Sequence, residues 1–484
     1  MRIESGQISG VRDAGGVRAF KGIPYAAPPV GNLRWRPPQT PDRWEGVRRA
    51  DRFCAPCMQA VTGDFGPYTK EFLIQGSPSE DCLFLNVWTA ATTANERRPV
   101  MVWIYGGGFV SGGADCDIYD GAELARKGIV LVSVNYRVGP LGFLAHPELT
   151  KESEYHSSGN YALLDQVAAL QWVRRNITAF GGDPNRITIF GQSAGAFSVS
   201  LLMRSPLARG LFARAIIESG PGLFPTNTLS GSAILAAAEQ AGVKYSESKG
   251  AHTLAELRAL PAQQLIGRGG PGVSGPITDG GFLPENNPHA SEVLVMNGMT
   301  ADDIGIAAGA GPRSVGSYRS DAQNTFGAKS EALLKLYPAN ADSEVPEVRK
   351  ISSRDRGRVS ISLWASNQMK LSPQVYTFFF SRPIPWPQHP EFGAFHTAEV
   401  PYVFNNLKTL DRPWESADRR LADQMSSYWV NFARTGNPNG KGLPVWAPAD
   451  WNSRTTMELG ANVGPMPLAS PARLEFWQEF LAKP

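Results

Sequence analysis

The chain has 484 residues, of which 42% are hydrophobic and 19% are charged, and its formal net charge is +3. This near-neutral balance, with scattered basic residues, argues against a nucleic-acid-binding protein, which would present a strongly basic face. No run of about 18 apolar residues exists, so the sequence predicts no transmembrane helix. Residues 1–6 lead into a predicted strand and lack the apolar core of a signal peptide.

The domain organisation is predicted from the spacing of the motifs. A chain of this length would by itself suggest about three domains. The chemistry-bearing motifs extend over most of the chain, however, and no Gly/Ser-rich or charged linker separates them. We therefore predict one α/β domain that spans residues 1–484, with helical excursions between its strands.

The first motif in chain order is a run of three glycines that follows a strand-like apolar segment at residues 100–103. Gly106, Gly107 and Gly108 come directly after Tyr105. Consecutive glycines let backbone N–H groups converge on one point, since no side chains block the approach. A phosphate-binding loop is the alternative for such a run, but no Lys-Ser/Thr pair follows the glycines.

The second motif, Phe-Gly-Gln-Ser-Ala-Gly at residues 190–195, places Ser193 between two glycines. Residues 186–190 alternate β-branched and aromatic side chains as a buried strand does, and residues 194–203 are small and apolar as in a helix. In a strand–turn–helix context, Gly-x-Ser-x-Gly predicts a nucleophile elbow, a sharp turn that projects the serine hydroxyl. The bare motif also occurs by chance, so the prediction depends on this context.

Together with longer motifs, these segments resemble the type B carboxylesterase family, which also contains the cholinesterases. Residues 180–195 match the active-serine signature of the family and residues 80–87 match its second signature, while residues 20–29 and 160–166 fit the family pattern. The resemblance covers nearly the whole chain. It implies the α/β-hydrolase fold, a central, mostly parallel twisted sheet flanked by helices, with helical excursions that form a cap around the site.

The resemblance also implies the chemistry of the site. Ser193 is the expected nucleophile, and the backbone N–H groups of Gly107, Gly108 and Ala194 are the expected oxyanion hole. An acid and a histidine complete a catalytic triad, in the chain order serine, acid, histidine. The reaction so implied is hydrolysis of a carboxylic ester, with neither a metal nor an organic cofactor.

The order of the triad limits the histidine to two candidates, His389 and His396. His389 lies in a proline-rich stretch that predicts a surface turn. His396 follows the strand-like residues 375–380, where the fold places its base. The family pattern has a glutamate three residues after this histidine, as Glu399 is here, although Thr397 replaces the usual glycine. We therefore predict His396 as the general base.

The family pattern around the acid reads glycine, three variable residues, aspartate, glutamate, glycine. Counting from Gly298 after the strand-like residues 293–296 places Asp302 on the aspartate of the pattern and Asp303 on its acid. Asp thus replaces the usual Glu, and Ile304 replaces the usual Gly. A carboxylate within hydrogen-bond reach suffices to hold the imidazole tautomer, so Asp303 is preferred and Asp302 is the alternative.

Four cysteines bear on the compartment. The resemblance implies a disulfide between Cys57 and Cys82, which would contribute roughly 3 kcal/mol on the chain-entropy model. Cys54 and Cys116 have no role in the family pattern and could pair with each other. An even count with one expected pair favours an oxidising compartment, periplasmic or secreted, while the lack of a signal peptide leaves a cytoplasmic location open.

The predicted substrate is a small-molecule carboxylic ester with a short or medium acyl chain, or an aryl ester. The loop between Cys57 and Cys82 contains aromatic residues but no tryptophan. In cholinesterases a tryptophan of this loop holds the quaternary ammonium by cation–π attraction, so a choline ester is disfavoured. Phe109 and Phe224 are candidates to line an acyl pocket.

Two alternatives are kept beside this prediction. One is a specialised esterase for charged or bulky polyesters, with arginines that guide carboxylates. The densest basic cluster, Arg354, Arg356 and Arg358, is a candidate for such guidance, or else a solvated helix end or loop. The other alternative is a non-catalytic binding module of the cholinesterase type, which the presence of Ser193 and His396 disfavours. The sequence does not indicate an oligomeric state.

Overall fold

The computed structural model describes residues 1–222, 233–284, 293–303, 313–372 and 374–482. The described strands are β1 Arg2–Ile3, β2 Gly6–Ser9, β3 Val11–Arg12, β4 Arg18–Pro24, β5 Val47–Arg49, β6 Phe84–Thr89, β7 Arg98–Ile104, β8 Val130–Val134, β9 Gly182–Gln192, β10 Arg214–Glu218, β11 Leu294–Thr300, β12 Val375–Phe380, β13 Thr455–Leu459 and β14 Gly464–Pro467. The α-helices are α1 Ala122–Arg126, α2 Gly139–Phe143, α3 Pro147–Glu152, α4 Tyr161–Asn176, α5 Ala194–Arg204, α6 Leu235–Ser248, α7 Leu254–Ala259, α8 Ala262–Leu265, α9 Val315–Phe326, α10 Ser330–Leu336, α11 Val345–Gln368, α12 Val400–Val403, α13 Ser416–Thr435 and α14 Pro471–Leu481.

Most of the strands belong to one sheet, in the order β14-β13-β12-β11-β10-β9-β7-β8-β6-β4-β3. The neighbours from β13 to β8 in this order run parallel. The outer pairs, β13 with β14 and β8 through β6 and β4 to β3, run antiparallel. This arrangement confirms the predicted mostly parallel central sheet. Strands β1, β2 and β5 form a separate small sheet.

The sequences of the central strands are continuous apolar runs, because helices cover both faces of the sheet. From Val100 to Ile104, no residue of β7 is more than 1% exposed. Helices α4 and α5 pack on β9, α13 packs on β7 and β9, and α11 packs on β12. A parallel sheet needs such cover on both faces, which explains why its strands lack the alternation of half-buried strands.

The predicted elements around the motifs are present. Residues 186–190 lie within β9, residues 194–203 lie within α5, and residues 375–380 coincide with β12. Strands β7, β9, β10, β11 and β12 are parallel, so their carboxyl ends meet at one edge of the sheet. Loops at this edge are where open α/β sheets bind their ligands.

Two long helical excursions interrupt the parallel strands. Helices α6 to α8 lie between β10 and β11, and helices α9 to α11 lie between β11 and β12. The first excursion shares an apolar cluster with α2 and α3, in which Leu144, Leu149, Leu257 and Leu265 are buried. The second packs with α14 around Trp477. No α-helix in the described parts of the chain is long and apolar enough to cross a membrane.

The cysteines form one disulfide. Cys57 and Cys82 are bonded, with their Cα atoms 4.9 Å apart, which confirms the predicted bridge. Cys54 and Cys116 are both free thiols, one half-buried and the other buried, so the suggested second bridge is wrong. Burial also raises the pKa of both thiols, which keeps them protonated and weakly reactive.

The basic cluster of residues 354–358 lies within α11, so its interpretation as a helix end or loop is wrong. Arg354 Nη2 pairs with Asp302 Oδ1 at 2.5 Å, and Arg358 pairs with Asp355 in the same helix. The guanidinium of Arg356 lies over a tryptophan ring. These arginines are engaged with protein groups, which argues against their use as a free guide for anionic substrates.

Candidate active site

Ser193 occupies the turn between β9 and α5 in a strained conformation. Its φ is 57° and its ψ is −125°, a positive φ that a residue with a Cβ rarely adopts. The turn is held on both sides, since the Ser193 N–H donates to the Glu218 carbonyl at 2.9 Å and its carbonyl accepts the Phe197 N–H at 2.9 Å. A strained residue that its surroundings hold so firmly is typical of a functional site.

The glycine after the serine is required by close backbone approach. A Cβ on Gly195 would lie 2.0 Å from the Ile104 carbonyl oxygen, closer than any van der Waals contact allows. The first turn of α5 therefore packs directly against the carboxyl end of β7. This contact is the physical reason for the small residue in the motif, and it brings the serine beside the glycine run.

The glycine run lies against the serine. A Cβ on Gly106 would be 2.9 Å from the Ser193 Cβ, and Gly107 adopts a φ of 119°. The N–H groups of Val110 and Ser111 both donate to the Gly107 carbonyl, each at 3.1 Å. Within the described residues, the N–H groups of Gly107, Gly108 and Ala194 donate no hydrogen bond to the protein. Three backbone N–H groups of the glycine run and the elbow are thus left without an acceptor in the described part of the chain.

Two side chains that the sequence did not single out fix this loop from behind. Gln59 binds both backbone groups of Gly112, donating to its carbonyl at 2.7 Å and accepting its N–H at 2.8 Å. The hydroxyl of Tyr136 donates to the Tyr105 carbonyl at 2.6 Å, and the two tyrosine rings stack. Pre-organised donors need such support, because a loop that relaxes loses its alignment with the substrate oxygen.

The structure brings His396 to Asp303. The distance from His396 Nδ1 to Asp303 Oδ1 is 2.6 Å, and the Asp303 side chain is nearly fully buried. Its other oxygen accepts the Ser219 hydroxyl at 2.6 Å and the Thr300 N–H at 3.1 Å. Ser219, which follows β10, carries no motif that would have identified it. The carboxylate is thereby oriented so that one oxygen faces the imidazole.

Asp302, the alternative acid, points elsewhere. One of its oxygens pairs with Arg354 at 2.5 Å, and the other accepts the Ala394 N–H at 2.9 Å. The Asp302 N–H also donates to the Ala394 carbonyl at 2.9 Å. Asp302 therefore ties the end of β11 to the loop that carries His396, and it contacts the imidazole at neither oxygen.

The His396 loop has its own supports. The Tyr68 hydroxyl donates to the His396 carbonyl at 3.0 Å, and Gln192 Nε2 lies 3.1 Å from Nε2 of the imidazole. Thr397 has a φ of 88°, a conformation that favours glycine, so the threonine is strained at this position. His389 is exposed beside Glu391, as expected for a surface turn.

Two fully buried glutamates, Glu218 and Glu399, lie behind this arrangement. Glu218 Oε1 accepts the Trp429 indole N–H at 2.8 Å, while its Oε2 and both oxygens of Glu399 have no partner in the described structure. Burial raises the pKa of Glu218 to about 8. Burial also raises the pKa of Glu399 well above its usual range, with Glu218 and Asp303 adding to the effect. Burial therefore favours the protonated form of both side chains.

This raised pKa predicts how stability depends on pH. An unfolded glutamate loses its proton near pH 4.3, whereas folded Glu218 keeps it to about pH 8. In that window the native state binds more protons, so stability falls as pH rises, by about 1.4 kcal/mol for each pKa unit. Glu218→Gln has no proton to lose, so its stability should not fall in this way. The urea midpoint of Glu218→Gln minus that of the wild type should therefore be larger at pH 8 than at pH 5.

The matched control is the exposed Glu247, whose change to Gln should leave the midpoint unaltered at both pH values. A Glu218→Gln difference from wild type that is the same at both pH values would contradict the argument. Trp429 can still donate to the amide oxygen of Gln, so its hydrogen bond is kept in the comparison.

Of the two phenylalanines suggested for an acyl pocket, only Phe109 can be placed. It follows the glycine run with a φ of 63° and is half-buried, and its ring centroid lies 5.2 Å from that of Phe143. Phe224 lies outside the described residues, as does Ile304 of the acid motif. Phe109 therefore stands beside the oxyanion loop, in a position consistent with contact to an acyl chain.

The mostly parallel sheet, with the elbow serine and the glycine run at the carboxyl ends of its strands, defines an α/β hydrolase. The sequence profile of the Carboxylesterase family matches residues 1–477. The chain belongs to this carboxylesterase family, and it is a carboxylic ester hydrolase.

Individual relatives agree over nearly the full length. The chain is 38% identical to a fumonisin B1 esterase of Sphingopyxis macrogoltabida, over 95% of this chain and 86% of that protein. It is 34% identical to a para-nitrobenzyl esterase of Bacillus subtilis, over 95% of this chain and 94% of that protein. It is 33% identical to a human cocaine esterase, over 96% and 88% of the two chains.

Proposed function

We propose that the chain hydrolyses small carboxylic esters through an acyl-enzyme on Ser193, with His396 as base and Asp303 as the orienting acid. The observation that carries this proposal is the short contact between His396 Nδ1 and Asp303 Oδ1, 2.6 Å, at the same sheet edge as the strained serine. A carboxylate on Nδ1 holds the imidazole in the tautomer whose Nε2 accepts a proton. The proposed oxyanion hole is formed by Gly107, Gly108 and Ala194.

The proposed reaction has two halves. His396 Nε2 takes the proton of the Ser193 hydroxyl as Oγ attacks the ester carbonyl carbon, and the carbonyl oxygen becomes an oxyanion. The C–O bond to the alcohol then breaks, and the leaving alkoxide takes the proton from His396. Water attacks the acyl-enzyme by the same route and releases the acid, returning the proton to Ser193.

The unpaired N–H groups supply the electrostatic part of this reaction. A donor aimed at the developing oxyanion stabilises the transition state more than the neutral carbonyl, and losing one such donor costs about 2.7–4 kcal/mol in the barrier. Gly107 and Gly108 offer two such groups, and Ala194 offers the unpaired N–H of a helix N-terminus. The macrodipole of α5 favours negative charge at the same point.

The substrate class rests on the relatives and on the site together. The printed names of the relatives include esterases for fumonisin B1, para-nitrobenzyl esters and cocaine. Phe109 offers one half-buried aromatic ring beside the oxyanion loop, which suits a short, medium or aryl acyl group. The Cys57–Cys82 loop offers no tryptophan for a quaternary ammonium, so choline esters are not proposed.

A p-nitrophenyl ester series from acetate to palmitate tests this size preference. We expect kcat/KM to be highest for short and medium acyl chains and to fall for the longest. The measurement is the initial rate of p-nitrophenolate release at each chain length, with chains below their critical micelle concentration. A maximum at palmitate would contradict the small-ester proposal and would favour a lipase-like or polyester substrate.

We also propose the domain organisation, the compartment and the kind of partner of this protein. We infer a single domain over residues 1–484, since the site draws on residues from Gly106 to His396. The Cys57–Cys82 disulfide favours an oxidising compartment, hence a periplasmic or secreted protein. The expected partner is a small-molecule ester, with no role for nucleic acid.

A further inference from the structure

We propose that Arg268 forms an anion subsite beside the oxyanion loop, which selects esters that carry a carboxylate a few carbon atoms from the scissile carbonyl, on the acyl side. This inference rests on the proposed function and narrows its substrate class to monoesters of short dicarboxylic acids. Arg268 lies in the first helical excursion, between β10 and β11, and it is part of no motif in the sequence.

The guanidinium lies against the oxyanion loop. Arg268 Nη2 is 3.7 Å from the point where a Cβ on Gly108 would lie, an ordinary van der Waals distance. Gly108 is also exposed to solvent, so this face of the loop is open to a ligand. A substrate whose carbonyl oxygen meets the Gly108 N–H would therefore place its neighbouring carbons beside the arginine.

The segment that carries Arg268 is anchored. The hydroxyl of the buried Ser274 accepts the Gly269 N–H at 2.9 Å and donates to the Gly267 carbonyl at 3.4 Å. The carbonyl of Gly272 accepts the Ala145 N–H at 2.7 Å, which joins the segment to the residues after α2. Backbone bonds on both sides of Arg268 thus fix the position from which its side chain extends.

The same segment is joined to the oxyanion loop through α2. The Gly267 carbonyl lies 3.5 Å from the position of a Cβ on Gly139. Gly139 in turn donates its N–H to the Phe109 carbonyl at 2.7 Å. The backbone beside Arg268 therefore lies next to the start of α2, which is itself bonded to Phe109 after the glycine run, and the Arg268 side chain extends from that position.

Arg268 is exposed to solvent, and no carboxylate among the described residues pairs with it. Its guanidinium makes no ion pair or hydrogen bond with the residues that the structure describes, in contrast to Arg354 and Arg358, which both pair with aspartates. A guanidinium presents a planar fork of N–H donors that matches a carboxylate in two parallel hydrogen bonds. The group that best matches the Arg268 guanidinium is therefore a carboxylate of the substrate.

The test compares two ethyl esters of nearly equal shape. Monoethyl succinate carries a carboxylate where ethyl levulinate carries a neutral acetyl group, so the ratio of their kcat/KM values isolates the charge. Hydrolysis is followed by pH-stat for the wild type, Arg268→Ala, Arg268→Lys and Arg209→Ala. Arg209 is an exposed arginine beyond the far end of α5 and serves as the matched control.

We expect Arg268→Ala to lower the succinate-to-levulinate ratio by about tenfold, the effect of one partly exposed charged hydrogen-bond pair. Arg268→Lys should restore part of the ratio, and Arg209→Ala should leave it unchanged. A ratio that is equal in Arg268→Ala and the wild type would overturn the subsite. Failure of the proposed esterase function would look different, because the wild type would then hydrolyse neither ester.

Discussion

Ser193→Ala is expected to abolish ester turnover, with a fall in kcat of about 10⁵- to 10⁶-fold. Removal of Oγ leaves no atom to form the acyl-enzyme, and the oxyanion donors alone give only residual catalysis. The fold should persist, because the positive φ of residue 193 is held by backbone bonds to Glu218 and Phe197 that alanine keeps. The measurement is the steady-state rate with p-nitrophenyl butyrate, beside circular dichroism and thermal unfolding.

Ser200→Ala provides the control for this variant. Ser200 lies on the same helix, α5, and is nearly as buried as a core residue, but it is two turns away from the elbow. Its rate should stay within a few-fold of the wild type. Turnover by Ser193→Ala at a rate close to that of the Ser200 control would show that another group is the nucleophile.

Asp303→Asn is expected to reduce kcat by about 10⁴-fold, while Asp302→Asn reduces it by at most about tenfold. Asp303 Oδ1 lies 2.6 Å from His396 Nδ1, so an amide there no longer stabilises the imidazolium and can hold the wrong tautomer. Asp302 contacts Arg354 and the Ala394 N–H instead, so its loss loosens the His396 loop without removing the charge on the imidazole.

These two variants control for each other, since they remove the same charge from neighbouring residues at the end of β11. The measurement is kcat and KM for both with p-nitrophenyl butyrate, together with the unfolding midpoint. Asp302→Asn should lower stability through the lost Arg354 pair. If Asp302→Asn proved far more damaging to kcat than Asp303→Asn, the assignment of the acid would be wrong.

The sheet and its order along the chain could be predicted because local patterns determine them. Residues 187–190 of β9 and the whole of β12 are β-branched, apolar or aromatic, and α5 is a run of mostly small and apolar residues that starts at Ala194, directly after the serine. The elbow was recognisable for the same reason. Gly195 has to be glycine, since β7 passes within 2.0 Å of its missing Cβ.

Contacts between distant segments explain what the sequence could not predict. The sequence preferred Asp303 over Asp302 only through the family pattern, because the two residues are adjacent and chemically identical; the contact of Asp303 with the imidazole depends on the path of the His396 loop. Ser219 supports the site through one hydrogen bond across 84 residues of chain, and Gln59 through two hydrogen bonds across 53 residues. Such pairs leave no periodic pattern, because each depends on two loops that meet only in the folded protein.

The basic residues show the same limit. The sequence drew attention to Arg354, Arg356 and Arg358 because they are close together along the chain, yet they pair or stack within α11 and its surroundings. Arg268 stands alone among glycines, and only the fold brings it to Gly108. Arginines that are close together in the sequence therefore do not identify the charged part of this site. Those of α11 pair or stack with other protein groups instead.

Active-site titration with a fluorophosphonate, followed by peptide mapping of the label, tests most directly whether Ser193 is the nucleophile. We expect one label on each chain, on the Ser193 hydroxyl, with ester turnover lost in proportion to labelling. Ser193→Ala should take no label, and Ser200→Ala should be labelled like the wild type. A label on any other residue, or a fully labelled protein that still hydrolyses esters, would contradict the assignment of Ser193 as the nucleophile.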